Sequence, residues 1–259
     1  MLVNRNTSTD NKLNIYPGID IAFRPNNTTR IYASANRAMR LPTFTDLYYE
    51  DPSNIGNPDL KPERSAEYEL GTMFTTGVWN ARVNYFYRHI TDAIDWIWLD
   101  DHQKWHTVNH TDLHTHGISA GGQWNVGREA FSAYYTFMHS EKSVNQYVSG
   151  YEMNYLRHKL NFGITHRIIE KVNAHWQIGW QDRNGSYMHF NGNDLPPAER
   201  FTETPFEPFW QIDLRIYRQT ERFNIFVEAS NLANKQHQDI GNVTLPGRWI
   251  RAGVAFVIL

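Results

Sequence analysis

Apolar and polar residues alternate along most of this chain, and that pattern indicates its fold class. Between Lys171 and Gln181, apolar side chains occupy nearly every second position, and most of the residues between them are polar. Alternation with a period of two is typical of β-strands whose two faces meet different surroundings. The pattern predicts about eleven strands, at 13–23, 29–39, 63–75, 78–90, 113–124, 129–140, 151–167, 171–181, 210–217, 222–230 and 247–258. No long segment repeats about every 3.6 residues, so we expect an all-β protein with little helix.

The connections between these predicted strands alternate between short and long. Tight turns are predicted at 24–27, 76–77, 125–128, 168–171 and 218–221, and long connections at 40–62, 99–112, 141–150, 182–208 and 231–246. Membrane β-barrels sort their connections in this way, with short periplasmic turns and longer extracellular loops. Strands of about ten residues also match the ~9–11 tilted residues that cross a bilayer. The pattern therefore favours a transmembrane β-barrel over a β-sandwich.

The two faces of the predicted strands suit the outside and the inside of such a barrel. The polar face mixes amides with charges of both signs, and its charged members are Glu67, Glu69, Arg82, Arg88, Arg157, Lys159, Asp213, Arg215 and Glu228. Such a face fits a lumen that holds water or another folded piece. Aromatic residues lie beside the short turns, where an interfacial girdle is expected; they are Phe74, Trp79, Trp124, Phe131 and Phe223.

Composition narrows the possible functions. The 259 residues include 14% aromatic side chains, which excludes disorder for most of the chain. The net charge of −2 gives no basic field for nucleic acid, and the absence of Cys excludes disulfides and thiolate chemistry. The polar segment Met1 to Thr7 lacks an apolar signal core. We therefore expect either a cytoplasmic protein or the later part of a longer exported chain.

A set of motifs, in order along the chain, carries a family resemblance. They are RLPTFTDLYY at 40–49, GNPDLKPERS at 56–65, YELG at 68–71, ASNLANK at 229–235 and LPGR at 245–248. Together they resemble TonB-dependent outer-membrane receptors, over about 13–259. The resemblance implies a barrel of about 22 strands with a plug domain ahead of it in the chain. We therefore expect an antiparallel meander of about eleven long strands, the C-terminal half of that transmembrane β-barrel, open if alone.

The resemblance also predicts domains, location and partners. It divides the chain into a polar lead-in at 1–12, the remnant of an outer loop, and a barrel portion at 13–259, with the plug domain absent. The first and last predicted strands run in the same direction and cannot pair as antiparallel neighbours, so we expect a fragment or truncated product. The expected location is the outer membrane of a Gram-negative bacterium. The expected partners are outer-membrane lipid, the missing plug and N-terminal barrel half, TonB through that plug, and a small nutrient ligand.

The implied function is TonB-energised uptake of a scarce nutrient, namely an iron-siderophore, haem or cobalamin. The segment 41–49, together with Ile94, Asp95 and Trp96, resembles cobalamin-type receptors most. The sequence has neither a G-x-S-x-G elbow nor a glycine-rich phosphate motif, so we expect no enzyme and no cofactor. The alternative is a soluble all-β module that binds a ligand or carbohydrate, which requires the Trp-rich faces to be buried between two sheets.

The long connections hold the candidate functional residues. Receptors of this kind capture ligands on outer loops, and the ligand-binding candidates are Tyr48, Tyr49, Trp98 and Trp105. Histidines at even positions form an alternative metal site, because imidazole binds transition metals; they are His102, His106 and His110, followed by His114 and His116. No carboxylate completes a clear ligand set, so we expect loop histidines and no metal.

Acidic residues also flank two Trp residues at the start of one of these connections. Asp92, Asp95, Asp100 and Asp101 flank Trp96 and Trp98. This grouping predicts an outer strand end with Trp anchors and solvated acids. Stacking of a carbohydrate on the Trp rings is the alternative.

Overall fold

The computed structural model describes residues 15–99, 104–109, 112–142, 155–196 and 199–256. In chain order the elements are β1 (Gly18–Phe23), β2 (Thr29–Arg40), α1 (Phe44–Tyr48), β3 (Asn54–Ile55), β4 (Glu63–Thr75), β5 (Trp79–Thr91), β6 (Ile94–Leu99), β7 (Lys104–Asn109), β8 (Asp112–Val126), β9 (Glu129–Lys142), β10 (Leu156–Ile169), β11 (Val172–Arg183), β12 (Ser186–Phe190), β13 (Phe201–Pro205), β14 (Phe209–Gln219), β15 (Phe223–Ser230), β16 (Gln238–Ile240), β17 (Val243–Thr244) and β18 (Trp249–Phe256). Within the described ranges, no helix is long and apolar enough to cross a membrane.

Eleven of these strands form one antiparallel sheet. Their order is β1-β2-β4-β5-β8-β9-β10-β11-β14-β15-β18, so each strand pairs with its neighbours along the chain once the short loop strands are set aside. The predicted meander of eleven long strands is confirmed. In the part of the chain that the structure describes, β1 and β18 do not pair with each other. The sheet is therefore open, as expected.

One face of this sheet, which we call the outward face, is apolar and exposed. Ile21 is 63% exposed, Leu70 58% and Ile250 64%, and each belongs to a different strand of the sheet. A water-soluble protein covers such a surface, whereas hydrocarbon solvates it. Four of the five predicted girdle aromatics beside the short turns share this exposure, namely Phe74, Trp79, Trp124 and Phe131, whereas Phe223 is half-buried. The rings of Trp79 and Trp124 stack at 5.1 Å with an interplanar angle of 6°.

The opposite, inward face is polar and laced with ion pairs. An Arg88 nitrogen lies 2.6 Å from Glu67 across β4 and β5. Glu228 lies between Arg215 and Arg251 on the two flanking strands, at 3.6 and 2.5 Å. The alternating pattern thus separates a lipid-compatible face from a charged, hydrated one.

Aromatic rings lie flat across the inward face where glycine leaves room for them. A Cβ added at Gly71 would meet the Tyr32 ring at 2.5 Å, and one at Gly117 would meet the Phe86 ring at 2.5 Å. The Tyr32 hydroxyl, held in this way, donates a 2.5 Å hydrogen bond to Glu69. The inward surface is therefore lined by fixed aromatic and polar groups.

Candidate functional site

At the end of the sheet opposite the tight turns, two long connections fold together into a compact unit. We call this unit the loop cap: the described residues of 41–62 and 92–109. Strands β3, β7 and β6 form a three-stranded sheet in which β3 pairs in parallel with β7. Leu47, Leu60 and Ile94 form its buried core. The connections predicted as long loops therefore contain secondary structure of their own.

A short helix opens the first connection because its sequence provides a capping box. The Thr43 hydroxyl accepts a hydrogen bond from the Asp46 backbone N–H at 3.1 Å, and the Asp46 carboxylate accepts one from the Thr43 N–H at 2.9 Å. The Asp46 carbonyl in turn accepts a 2.8 Å bond from the Thr107 hydroxyl of β7. Helix α1 is thereby fixed to the second connection.

Arg40 and Glu63, at the two ends of the first connection, hold the cap on the barrel. The Arg40 guanidinium donates to a Glu63 carboxylate oxygen at 3.0 Å and to the Ile94 carbonyl at 2.9 Å. The Ile94 N–H donates to the same Glu63 oxygen at 3.0 Å. The two family motifs quoted above thus meet in space, and they clamp the start of β6.

The four predicted ligand-binding residues lie in this one unit. Tyr48 and Tyr49 are 51% and 45% exposed, and the Tyr49 ring contacts the edge of Trp96 at 6.4 Å. Trp98 and Trp105 are directly paired across β6 and β7, with ring centroids 5.5 Å apart. Trp98 is only 5% exposed, so it supports the cap from within, whereas the two tyrosines face solvent. Binding of a ligand by these residues stays a prediction.

The expectation of solvated acids around Trp96 and Trp98 is wrong for Asp95. Asp95 is 0% exposed, and its carboxylate accepts a 2.8 Å hydrogen bond from the Trp96 N–H. Both Trp side chains are buried as well. The reason is that β6 folds back and pairs with β7 in the three-stranded sheet of the loop cap. Asp92 does remain partly exposed, 3.8 Å from Arg64, whereas Asp100 and Asp101 lie outside the described residues.

The proposed histidine site is only partly described. His106 lies on β7 opposite Ile97, whereas His102 and His110 lie outside the described residues. Among the residues with described positions, no group of three or more His, Cys, Asp or Glu side chains is placed to hold a metal ion. His114 and His116 lie on β8 of the large sheet, where they face outward.

Sequence reasoning missed a groove at the outer end of the inward face. A cavity of about 150 Å³ is lined chiefly by amides and charged groups of β10, β11 and β14; they include Lys159, Asn161, Gln177, Gln181, Gln211 and Asp213. Phe209 also lines it and is shared with a neighbouring cavity of about 220 Å³ that is bounded by β13 and residues 235–238. The His237 ring stacks on Phe209 at 3.8 Å. The alternation of β10, β11 and β14 indicated a polar wall, but only the fold brings residue 237 onto it.

Contacts between loops connect the cap to this groove. The Trp98 ring packs on Phe201 of β13 at 4.8 Å. Asn242, between β16 and β17, accepts from the Phe190 N–H at 3.0 Å and donates to the Met188 carbonyl at 2.7 Å. The outer end of the sheet therefore carries a continuous set of packed loops above a polar inner wall.

A family comparison identifies this architecture. Residues 3–232 match the family model described as TonB dependent receptor-like, beta-barrel. The chain belongs to this family. The resemblance read from the motifs is thus confirmed, and with it the assignment to the outer membrane of Gram-negative bacteria.

Individual outer-membrane receptors and transporters are similar to this chain in sequence or in structure. Over 109 residues it is 31% identical to the vitamin B12 transporter BtuB of Vibrio vulnificus strain YJ016, covering 42% of this chain and 17% of that protein. The copper transporter OprC superposes with a TM-score of 0.70 at 15% identity, over 92% of this chain and 39% of OprC. The ferripyoverdine receptor of Pseudomonas aeruginosa, bound to ferripyoverdine, gives 0.67 at 19% identity, over 92% and 32%. The chain therefore spans well under half the length of the relatives it matches, and the structural likenesses show the fold alone.

Acid is expected to loosen the tyrosine-bearing turn of this receptor chain. The Ser53 backbone N–H, the Tyr49 hydroxyl and Asn54 all donate to the Asp51 carboxylate, which lowers the pKa of Asp51 below its ordinary 3.8. A carboxyl with a lowered folded-state pKa stabilises the fold above its unfolded pKa, and this stabilisation is lost as the pH falls through the folded value. We expect the Ser53 amide to lose hydrogen-exchange protection below about pH 4. Asp51→Asn, which cannot titrate, should show little of this pH dependence; equal dependence in both proteins would contradict the assignment.

Proposed function

We propose that this chain is the C-terminal half of the barrel of a TonB-energised receptor for a scarce nutrient. In this proposal residues 13–259 are barrel wall, residues 1–12 are the remnant of an outer loop, and a plug and N-terminal half-barrel complete the receptor. TonB acts through that plug. The supporting observations are the family match, the open sheet of eleven antiparallel strands and the coverage of about a third of solved receptors. The proposed role is transport, with no catalytic step.

The observation that carries the proposal is the loop cap with two exposed tyrosines, connected by packed loops to a polar inward groove. Tyr48 and Tyr49 offer aromatic faces and hydroxyl groups at the outer surface. The groove beneath the loops offers side-chain amides and single charges on β10, β11 and β14. A ligand can thus contact the aromatic rings of the cap first. In the groove, hydrogen bonds to side chains then replace the ligand's bound water, which is typical of a small-molecule site.

Among the candidate nutrients we propose cobalamin first, with an iron-siderophore or haem as the alternatives. Similarity to the vitamin B12 transporter supports this order, as does the resemblance of residues 41–49 and 94–96 to cobalamin-type receptors. Cobalamin carries a flat macrocycle with peripheral amides. Aromatic rings in the cap and amides in the groove complement both parts of such a ligand.

The soluble all-β module is not favoured by the described surface. That reading requires the apolar strand faces to be covered by a second sheet. Leu70, Tyr85 and Trp210 are instead 58%, 47% and 51% exposed on one side of a single large sheet. Hydrocarbon is the environment that makes this exposure favourable.

Uptake of labelled cobalamin, ferric siderophores and haem by cells that carry the complete receptor tests the function. We expect TonB-dependent uptake of one of them, and uptake of none would overturn the proposal. In the same receptor, Tyr48→Ala combined with Tyr49→Ala should weaken ligand binding at least about tenfold, the usual scale for exposed aromatic anchors. Tyr85→Ala is the matched control, because Tyr85 is 47% exposed but lies on the outward face of β5. Equal losses from both changes would indicate general damage and contradict a binding role.

A further inference from the structure

A second cavity adjoins the polar groove, between the β12–β13 hairpin and the start of the last long connection. We call it the ring pocket: the cavity of about 220 Å³ lined by residues 187, 204–209 and 235–238. Tyr187 and Thr204 lie opposite each other on the hairpin and line one part of it. Phe209, the first residue of β14, lines both the ring pocket and the groove. The two cavities are therefore neighbours at the outer end of the inward face.

Two pairs of aromatic rings line the ring pocket. The Tyr187 and Phe206 rings are 5.2 Å apart, and the His237 ring stacks on Phe209 at 3.8 Å. Phe206 and Phe209 are 8% and 6% exposed, and a proline directly precedes each of them. Burial and the fixed φ of proline restrict the positions of both rings. Aromatic side chains receive further rings in offset-stacked or edge-to-face arrangements, so these four offer surfaces to a planar ring.

Backbone hydrogen bonds hold residues 235–238 in place on the far side of the pocket. The Lys235 N–H donates to the Asn231 side-chain oxygen at 3.1 Å, and the Asn231 side-chain amide donates to the Lys235 carbonyl at 2.8 Å. The His237 carbonyl accepts from the Leu245 N–H at 2.9 Å. Asn231 itself is 4% exposed, so this anchor is buried. The pocket is thus formed before any ligand arrives, which lowers the entropic cost of binding.

Polar side chains accompany the rings in the lining of the pocket. They are Glu207, Lys235, Gln236 and Gln238. A carboxylate accepts hydrogen bonds, an ammonium group donates them, and an amide does both. A plain hydrocarbon ring uses none of these groups, whereas a nitrogen heterocycle has ring nitrogens and N–H groups at its edge. The combination of aromatic faces and mixed polar groups therefore favours a heterocycle over a phenyl group.

The groove next to the pocket has the complementary chemistry. Its lining is chiefly polar and includes the amides of Asn161, Gln177 and Gln211. A ligand that fills both cavities therefore needs hydrogen-bonding substituents in one part and a planar ring in the other. Phe209 marks the place where these two parts of the ligand join.

We propose that the ring pocket binds a planar nitrogen heterocycle which the transported nutrient carries as an appendage. The faces of the heterocycle stack on the two ring pairs, and its edge nitrogens bond to the polar side chains. This inference rests on the proposed function: if the nutrient is cobalamin, the appendage is its 5,6-dimethylbenzimidazole base. The pocket then distinguishes nutrients that carry such a ring from those that lack it.

Two corrinoids that differ in the appendage test this specificity in the complete receptor, purified in detergent. We expect cobalamin to bind more tightly than cobinamide, which lacks the base. Phe206→Leu keeps an apolar side chain but removes a ring, so it should weaken cobalamin binding about three- to tenfold and leave cobinamide binding unchanged. Gln236→Trp places bulk in the pocket from an exposed position and should have the same effect. An equal loss for both corrinoids in these variants would overturn the proposal.

Phe190→Leu is the matched control. Phe190 lies on the same hairpin and packs on Phe201 at 5.4 Å, but it does not line the pocket. It should leave the preference for cobalamin over cobinamide unchanged. Retention of the folded, heat-modifiable form on gels verifies that each variant still folds.

Free 5,6-dimethylbenzimidazole tests the pocket independently of the nutrient, with binding followed by saturation-transfer NMR. We expect a signal from the unaltered receptor and from Phe190→Leu, and a much smaller one from Gln236→Trp. Equal signals in the unaltered receptor and Gln236→Trp would overturn the proposal, as would equal binding of cyclohexanol, which has no aromatic face. Binding of the free heterocycle without binding of either corrinoid would support the pocket and reject cobalamin as the nutrient.

Discussion

Residues 1–259, exported and assembled alone, are expected to yield no closed, protease-resistant barrel and no nutrient uptake. The sheet has an odd number of antiparallel strands, so β1 and β18 run in the same direction and cannot pair as antiparallel neighbours. Each would expose a row of backbone donors and acceptors to hydrocarbon, where every unsatisfied group costs several kcal/mol. A few such groups exceed the ~5–15 kcal/mol stability of a typical folded domain.

The measurement is expression with an added export signal, followed by heat-modifiability on gels and protease resistance in liposomes. We expect aggregation or degradation of the chain alone, and rescue when the complementary plug and N-terminal half-barrel are co-expressed. A complete TonB-dependent receptor processed in parallel is the control for assembly. A heat-modifiable, protease-resistant monomer of the chain alone would show that the sheet closes by itself, and the half-barrel proposal would have to be abandoned.

The strands of the wall could be predicted from the sequence because each has two chemically different environments. In β11, Trp176, Ile178 and Trp180 must face hydrocarbon, whereas Gln177 faces the lumen, so the local pattern is imposed directly by the membrane. Pairing of the strands that a tight turn joins, such as β4 with β5, then follows from that turn. These constraints act on neighbouring residues, which is why pattern analysis finds the eleven strands and their order.

The loop cap could not be predicted in the same way, because its core joins residues that are far apart in sequence. Leu47, Leu60 and Ile94 form one cluster, and Trp98 is covered by Phe201 more than a hundred residues later. No local alternation signals such contacts. The burial of Asp95 could not be predicted for the same reason: an acid between apolar residues at a strand end is usually solvated, and only the folded hairpin of β6 and β7 buries it. The groove beside Phe209 and His237 could not be predicted either, because only the fold brings these two rings together.

Two of the motifs that identify the family take part in these contacts between residues far apart in sequence. Arg40, from the first motif, and Glu63, from the second, lie directly opposite each other on β2 and β4. Glu63 accepts hydrogen bonds from both Arg40 and the Ile94 N–H. Arg40 and Glu63, at the two ends of the first connection, therefore also anchor the start of the second connection. The same contacts hold in place the two tyrosines that lie between them in sequence, Tyr48 and Tyr49.

Glu63→Ala in the complete receptor is expected to destabilise the contacts that hold the loop cap on the sheet, while the barrel wall stays folded. The change removes the acceptor of the Ile94 N–H and leaves the Arg40 guanidinium without its strongest partner, at a site where the Glu63 side chain is 13% exposed. Loss of a partner for partly buried polar groups costs about 1–3 kcal/mol. We expect amide hydrogen exchange in the cap, at residues 44–56 and 94–99, to accelerate about tenfold or more. Nutrient affinity should fall with it, because Tyr48 and Tyr49 lose their fixed positions.

Glu67→Ala is the matched control for this prediction. Glu67 lies four residues after Glu63 on β4, and its side chain is on the same inward face. Its carboxylate pairs with Arg88 at 2.6 Å. Its partner is 47% exposed, and such pairs contribute at most about 1 kcal/mol. We expect unchanged exchange in the cap and unchanged nutrient affinity in Glu67→Ala. If the two variants loosen the cap equally, or if Glu63→Ala alters exchange in β9 to β11 as much as in the cap, then Glu63 acts on the barrel as a whole and does not anchor the cap.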